Sequence, residues 1–196
     1  MSIPAIGKKK AAILESGREL FWKYGFKRVS VEEICRRASA SKMTFYRYFT
    51  DKTELARAVY DAEVEAGMSR FRVILESDMP VPEKIRNILL IKSGSVSNIS
   101  LEFLNDFYSD NETGLKSYIQ EKIASSMEEI LNDFRKAQER GVFRKDFKPE
   151  MLFYISQKIS DSFNDPYLIG LYGSPAEVIM EFAELFTYGI APKNSI

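Results

Sequence analysis

The run Ser41-Lys-Met-Thr-Phe-Tyr-Arg-Tyr-Phe49 brings together groups suited to an anionic partner. At helical spacing Lys42, Met43, Thr44, Tyr46 and Arg47 share one face, while Phe45 and Tyr48 point the other way. Lysine and arginine neutralise phosphate charge, and threonine and tyrosine hydroxyls can hydrogen-bond phosphate oxygens. Phe45, Tyr48 and Phe49 read as core. Taken singly, Tyr46 is equally an ordinary surface tyrosine, and Lys52 a common surface lysine.

Other chemistries are poorly supplied. The chain has no histidine and one cysteine, Cys35. This argues against a Cys/His zinc site and against histidine acid–base catalysis, and no nucleophile–base pair is visible. A carboxylate-only metal site is not excluded, but no metal, cofactor or enzymatic activity is expected. Cys35 reads as a small buried hydrophobe. Net charge is zero, yet residues 1–52 carry 12 Lys+Arg and 5 Asp+Glu, whereas residues 53–196 carry 16 and 23. A basic N-terminal end followed by an acidic remainder suits a chain that meets phosphates at one end; a chance imbalance of solvated faces is the bland alternative. No apolar run reaches the ~20 residues that span a bilayer, and no signal-peptide core follows Lys8–Lys10, so a cytoplasmic location is expected.

The elements that must position these groups read as helices, about nine of them, and the fold class as all-α. Ile13, Gly17, Leu20, Phe21 and Tyr24 share a face of the first helix, which Gly25 stops. Ser30-Val-Glu-Glu33 is a capping box opening a short helix over 31–38, with Ile34 and Cys35 inward. Ser39-Ala-Ser41 is a tight turn, and Ser41 caps a second short helix over 42–48. Asp51 and Glu54 cap a long helix over 52–76, with Leu55, Val59, Ala62 and Ala66 on one face. After a linker at 77–82, helices are expected at 82–95, 99–109, 113–140, 149–164 and 174–188. Gly141 ends the third of these, Pro149 sits in the first turn of the fourth, and Ser174-Pro-Ala-Glu177 caps the last. Pro166, Gly170 and Gly173 mark 164–173 as a loop.

Two short helices across a tight turn, preceded by a third, make the plan of a helix-turn-helix. At these residues the chain resembles the TetR family of transcriptional regulators. The resemblance rests on Ile13-Leu14, Leu20-Phe-Trp-Lys-Tyr-Gly-Phe26, Val29-Ser-Val-Glu-Glu-Ile34, Ser41 to Phe49, Lys52 and Leu55, and covers about residues 8–66. It implies that 30–49 binds DNA. Ser30 at a helix N-terminus, Thr44, Tyr46 and Lys52 would contact the phosphate backbone, with Lys8–Lys10 in support, and Ser41 belongs to the same DNA-binding set. Lys42 and Met43 would lie over bases, Met43 through apolar contact such as a thymine methyl. Arg47 would touch base or backbone. Two positions depart from the family: Ser39 stands where glycine usually enters the turn, and bulky Met43 where a small residue is common.

The resemblance further implies a domain division: residues 1–51 as the DNA-binding domain, 52–76 as a connecting helix, and 77–196 as a dimerisation and effector-binding domain. The stripes Leu152, Ile155, Ile159, Phe163 and Val178, Phe182, Leu185 are the expected homodimer interface, although each stripe can equally pack within its own subunit. Phe103, Phe107, Tyr118, Met127, Phe134 and Tyr154 are candidate lining for a pocket holding an unknown small-molecule effector, or else ordinary core. The expected function is a dimeric repressor, released by that effector from a palindromic operator. The alternative is an adaptor of the same fold that acts through protein contacts without operator binding.

Overall fold

Glycine sets the first boundary of the chain. In the computed structural model, which describes residues 5–96, 106, 113–159 and 165–190, helix α1 (Ala5–Tyr24) ends where Gly25 takes φ +83° and its N–H reaches the Phe21 carbonyl at 2.9 Å. Only glycine enters that conformation without a Cβ penalty. Helices α2 (Val31–Arg37) and α3 (Lys42–Tyr48) follow, and then α4 (Lys52–Glu76). Ser30 caps α2 with the full reciprocal box: its hydroxyl accepts from Glu33 N–H, while the Glu33 carboxylate accepts from the Ser30 N–H. Ser41 caps α3 through Thr44 N–H at 3.0 Å, and Asp51 Oδ1 accepts from Glu54 N–H at 2.7 Å.

The chain divides into two units, residues 1–66 with 98–124 and residues 67–97 with 125–196. The core of the first contains Ile13, Phe21, Phe26, Ile34, Phe45, Phe49, Leu55 and Val59. Gly17 belongs to this contact for a steric reason, since a Cβ there would lie 2.8 Å from Leu55 Cδ2. In the second unit α5 (Val81–Val96) packs on a C-terminal helix, Pro175–Ile190. Phe71, Leu75, Ile85, Leu89, Phe134, Phe143 and Val178 fill its core. Lys84 is buried there; its ammonium donates to the carbonyls of Leu75 (2.8 Å) and Ser77 (2.5 Å) at the end of α4. Those carbonyls have no helical donor of their own, so the cation ends the helix.

Among the described residues there are nine helices and no strand, and the fold is all-α. The remaining helices are α6 (Leu115–Glu139), α7 (Pro149–Ile159), α8 (Pro166–Tyr172) and α9 (Pro175–Ile190). Two expectations fail. The segment read as a loop, 164–173, contains α8. Asp165 caps it by accepting from Tyr167 and Leu168 N–H, Pro166 fills the first helical position, and Gly173 stops it at φ +94°. Proline and glycine there start and end a helix and do not break one. The stripe expected on α4 also breaks: Leu55 and Val59 are buried, but Ala62 and Ala66 are exposed, and burial resumes at Met68, Phe71 and Leu75. The helix expected at 99–109 lies outside the described residues apart from Asp106.

Candidate nucleic-acid interface

The turn between α2 and α3 is built on one left-handed residue. Ser39 has φ +48°, and within the turn Ser39 N–H reaches the Arg36 carbonyl and Ala40 N–H the Cys35 carbonyl at 2.9 Å. Lys9, from α1, donates to the Ser39 carbonyl at 2.7 Å and ties the turn to the first helix. A left-handed serine costs ~1–2 kcal/mol, which glycine avoids at some expense in unfolded-state entropy. Ser39→Gly is therefore expected to stabilise the protein by about 0.5–1 kcal/mol. A urea midpoint equal to or below the parent's would show that the turn holds serine without strain.

The orientation of α3 follows from its apolar side. Phe45 and Phe49 are buried and their rings approach to 5.7 Å, so the opposite side faces outward. Met43 is 76% exposed and Tyr46 55%, and Lys42 and Arg47 are exposed beside them. Thr44 is half-buried and shares a 2.9 Å hydrogen bond with the Ser41 hydroxyl. The structure thus brings Lys42, Met43, Tyr46 and Arg47 onto one outward face, with Thr44 and Ser41 at its start.

Several cations assigned to DNA by resemblance, Lys42 over the bases and Lys9, Lys10 and Lys52 at phosphates, are engaged within the chain. Lys42 forms an ion pair with Glu32 of α2, which raises the lysine pKa and lowers that of the carboxyl. Lys9 holds the turn, and Lys10 lies 5.8 Å from the Phe49 ring centroid. The Ser30 hydroxyl donates to Glu33 Oε2 at 2.8 Å. That carboxylate, its pKa lowered by hydrogen bonds from Ser30, already supplies negative charge at the start of α2. The arrangement opposes a phosphate at Ser30. Lys52 donates to the carbonyls of Phe26 (2.8 Å), Lys27 (3.2 Å) and Val29 (2.8 Å), and lies 4.5 Å from the Phe26 ring centroid. Its desolvation lowers its pKa, opposed by the charges of Asp106 and Glu33. Glu32 and the turn-holding role of Lys9 were not legible in the sequence, because their partners are 10 and 30 residues away with no periodic signal.

The sensing residues fare differently. Phe103, Phe107 and Phe163 lie outside the described residues. Tyr118 belongs to the first unit, where its hydroxyl donates to Asp61 Oδ2 at 2.6 Å and its pKa is pushed up to about 12, first by that bond. Met127, Phe134 and Tyr154 belong to the second unit. Phe134 is closed within the core of that unit, and Tyr154 is 61% exposed. An open groove of about 550 Å³ in the first unit is lined by Thr50, Asp51, Thr53, Glu54, Arg57 and Thr113, a polar set sharing no residue with the expected pocket. Of the expected interface residues, Val178 is 1% exposed and belongs to its own unit's core, against which Leu152, Ile159 and Phe182 also pack. Ile155 is half-buried, and Leu185 is 62% exposed. The outward apolar residues of these two helices are Met151 and Tyr154 on α7 and, on the expected stripe of α9, Leu185 with Tyr188. Periodicity identifies these helices as amphipathic, and Val178, Leu152, Ile159 and Phe182 pack within their own unit.

Among the described residues no helix is long and apolar enough to cross a membrane, and no group of three or more carboxylates and cysteines could hold a metal ion. Residues 13–59 match the family described as bacterial regulatory proteins, tetR family. No curated protein matches the chain. Solved structures do. A TetR-family transcriptional regulator from Streptomyces coelicolor superposes with TM-score 0.67 at 14% identity, covering 95% of this chain and 97% of that one. The reduced form of Escherichia coli NemR gives TM-score 0.66 at 18% identity, with 90% and 96% covered. A candidate transcriptional regulator from Saccharomonospora viridis, solved in complex with choline, gives 0.66 at 16%, with 95% and 100% covered. At such identities the likeness is one of fold. The match over residues 13–59 makes the helix-turn-helix segment similar to the tetR family of bacterial regulatory proteins, and the chain shares the fold of these structures.

Proposed function

We propose that the protein is a dimeric regulator that reads a palindromic operator through α3 of each subunit and is released by a small-molecule effector. The outward face of α3 carries the proposal: Met43, Tyr46, Lys42 and Arg47 stand exposed on a helix whose other side is anchored by Phe45 and Phe49. One such helix contacts few base pairs, and a two-fold pair reads two half-sites. Met151, Tyr154, Leu185 and Tyr188 supply exposed apolar surface on α7 and α9 for a second copy. The choline bound by the S. viridis neighbour supports an effector in this fold. In this reading residues 1–51 bind DNA, 52–76 connect, and 77–196 dimerise and sense, within a cytoplasmic protein.

The test is a selection on random duplexes followed by salt titration. The parent should enrich a palindrome. Tyr46→Ala/Arg47→Ala should bind the selected and the random duplex about tenfold more weakly, with a salt slope lower by about 0.9 for the lost cation. Failure to enrich any sequence would favour the adaptor reading. The internal engagement of Lys9, Lys42 and Lys52, which leaves fewer cations for phosphate, lends that reading its support.

A further inference from the structure

We propose that Lys52 positions the helix-turn-helix and is not one of its phosphate ligands. An ammonium has three N–H donors, and Lys52 has three carbonyl acceptors, those of Phe26, Lys27 and Val29, at 2.8, 3.2 and 2.8 Å. All three lie between α1 and α2, where no helical ladder supplies a donor. The side chains of Phe26 and Val29 are buried in the first unit's core, which holds their carbonyls in place. The Phe26 ring covers one side of the cation at 4.5 Å. A phosphate would have to displace at least one of these partners.

What the clamp closes matters more than the bonds themselves. Lys52 is the first residue of α4, and its acceptors lie 23 to 26 residues earlier in the chain. Between them run α2, the Ser39 turn and α3, the whole of the reading motif. The ammonium therefore ties the segment before α2 to the helix after α3, and fixes both ends of the motif at one point. Arginine retains the charge, but its planar fork spreads its donors and does not converge on three carbonyls around one nitrogen. The inference rests on the DNA-binding reading for its consequence and on the free protein's geometry for its mechanism.

Two measurements separate the clamp from a phosphate contact. The first is amide hydrogen exchange over residues 25–34 in the free protein, for the parent, Lys52→Met and Lys52→Arg. The second is affinity for a random-sequence duplex across a salt series, under conditions where each variant is fully folded by circular dichroism. Both variants should exchange about tenfold faster in this segment. Lys52→Met should bind about tenfold more weakly with the parent's salt slope, and Lys52→Arg should not restore affinity. A slope lower by about 0.9 in Lys52→Met, or parental exchange in either variant, would overturn the proposal. If Lys52→Met does not fold, Lys52→Arg decides through the same two readouts. A parent without salt-dependent binding would remove the DNA-binding reading, while the exchange comparison would still decide the clamp.

Discussion

Replacing Phe45 with alanine is expected to cost about 3–5 kcal/mol and to abolish DNA binding near the parent's melting range, whereas Tyr46→Ala should change stability by no more than about 0.5 kcal/mol and weaken binding alone. The two residues are consecutive on α3, and their rings touch edge to face at 5.3 Å. Phe45 has no exposed surface and sits in the core with Phe49, Ile34 and Leu55. Alanine there removes most of an aromatic ring and leaves a cavity that flanking helices fill only partly. A helix of seven residues has little stability of its own, so loss of its anchor frees the outward face as well. Tyr46 is 55% exposed and its removal opens no cavity. The chain's one tryptophan, Trp22, packs against this same core, so its fluorescence during urea unfolding reports the unit concerned. Equal stability losses in the two variants would mean that α3 is not oriented as described.

The contrast also marks how far the sequence could be read. Local signals were legible because their causes are local. Gly25, the Ser30–Glu33 box and Ser41 act within four residues, and all three stand where the sequence placed them. Ser39, where glycine usually enters the turn, has the positive φ that glycine accepts most readily. Pro166 deceived for the same local reason, since proline both opens and breaks helices, and only the Asp165 side chain before it distinguishes the cases. Long-range pairing was not legible. The residue types of Lys52, Lys42 and Ser30 suit phosphate, but charge does not disclose a partner that folding brings from elsewhere. Periodicity failed in a related way on α4 and α9, where it showed that a helix has an apolar face without naming what the face meets. Val178, on a stripe expected at an interface, is buried in its own unit, and Ala62, on one face with Leu55 and Val59, is exposed.

The same ambiguity makes Phe134 the sharpest test in the second unit. Phe134→Ala is expected to cost about 3–5 kcal/mol, and Phe134→Leu about 1–2 kcal/mol. Its ring lies flat on Phe143, with centroids 4.4 Å apart and planes 7° apart, and meets Phe147 and Phe153 edge to face at 5.9 and 6.0 Å. Each such aromatic pair adds about 0.5–1.5 kcal/mol beyond the area buried, and alanine forfeits all three. Leucine keeps much of the volume and loses mainly the ring contacts. Phe147 is further fixed by Gln138, whose side-chain amide donates to the carbonyls of Arg144 and Phe147 at 2.7 and 3.1 Å, so the segment after α6 has little freedom to fill the space. A ring lining an effector cavity would behave otherwise: its truncation would enlarge an existing void and remove few contacts. Urea unfolding with an unchanged m-value separates the two. A loss below about 1 kcal/mol for Phe134→Ala would place the ring at a cavity wall, where a sensing role requires it.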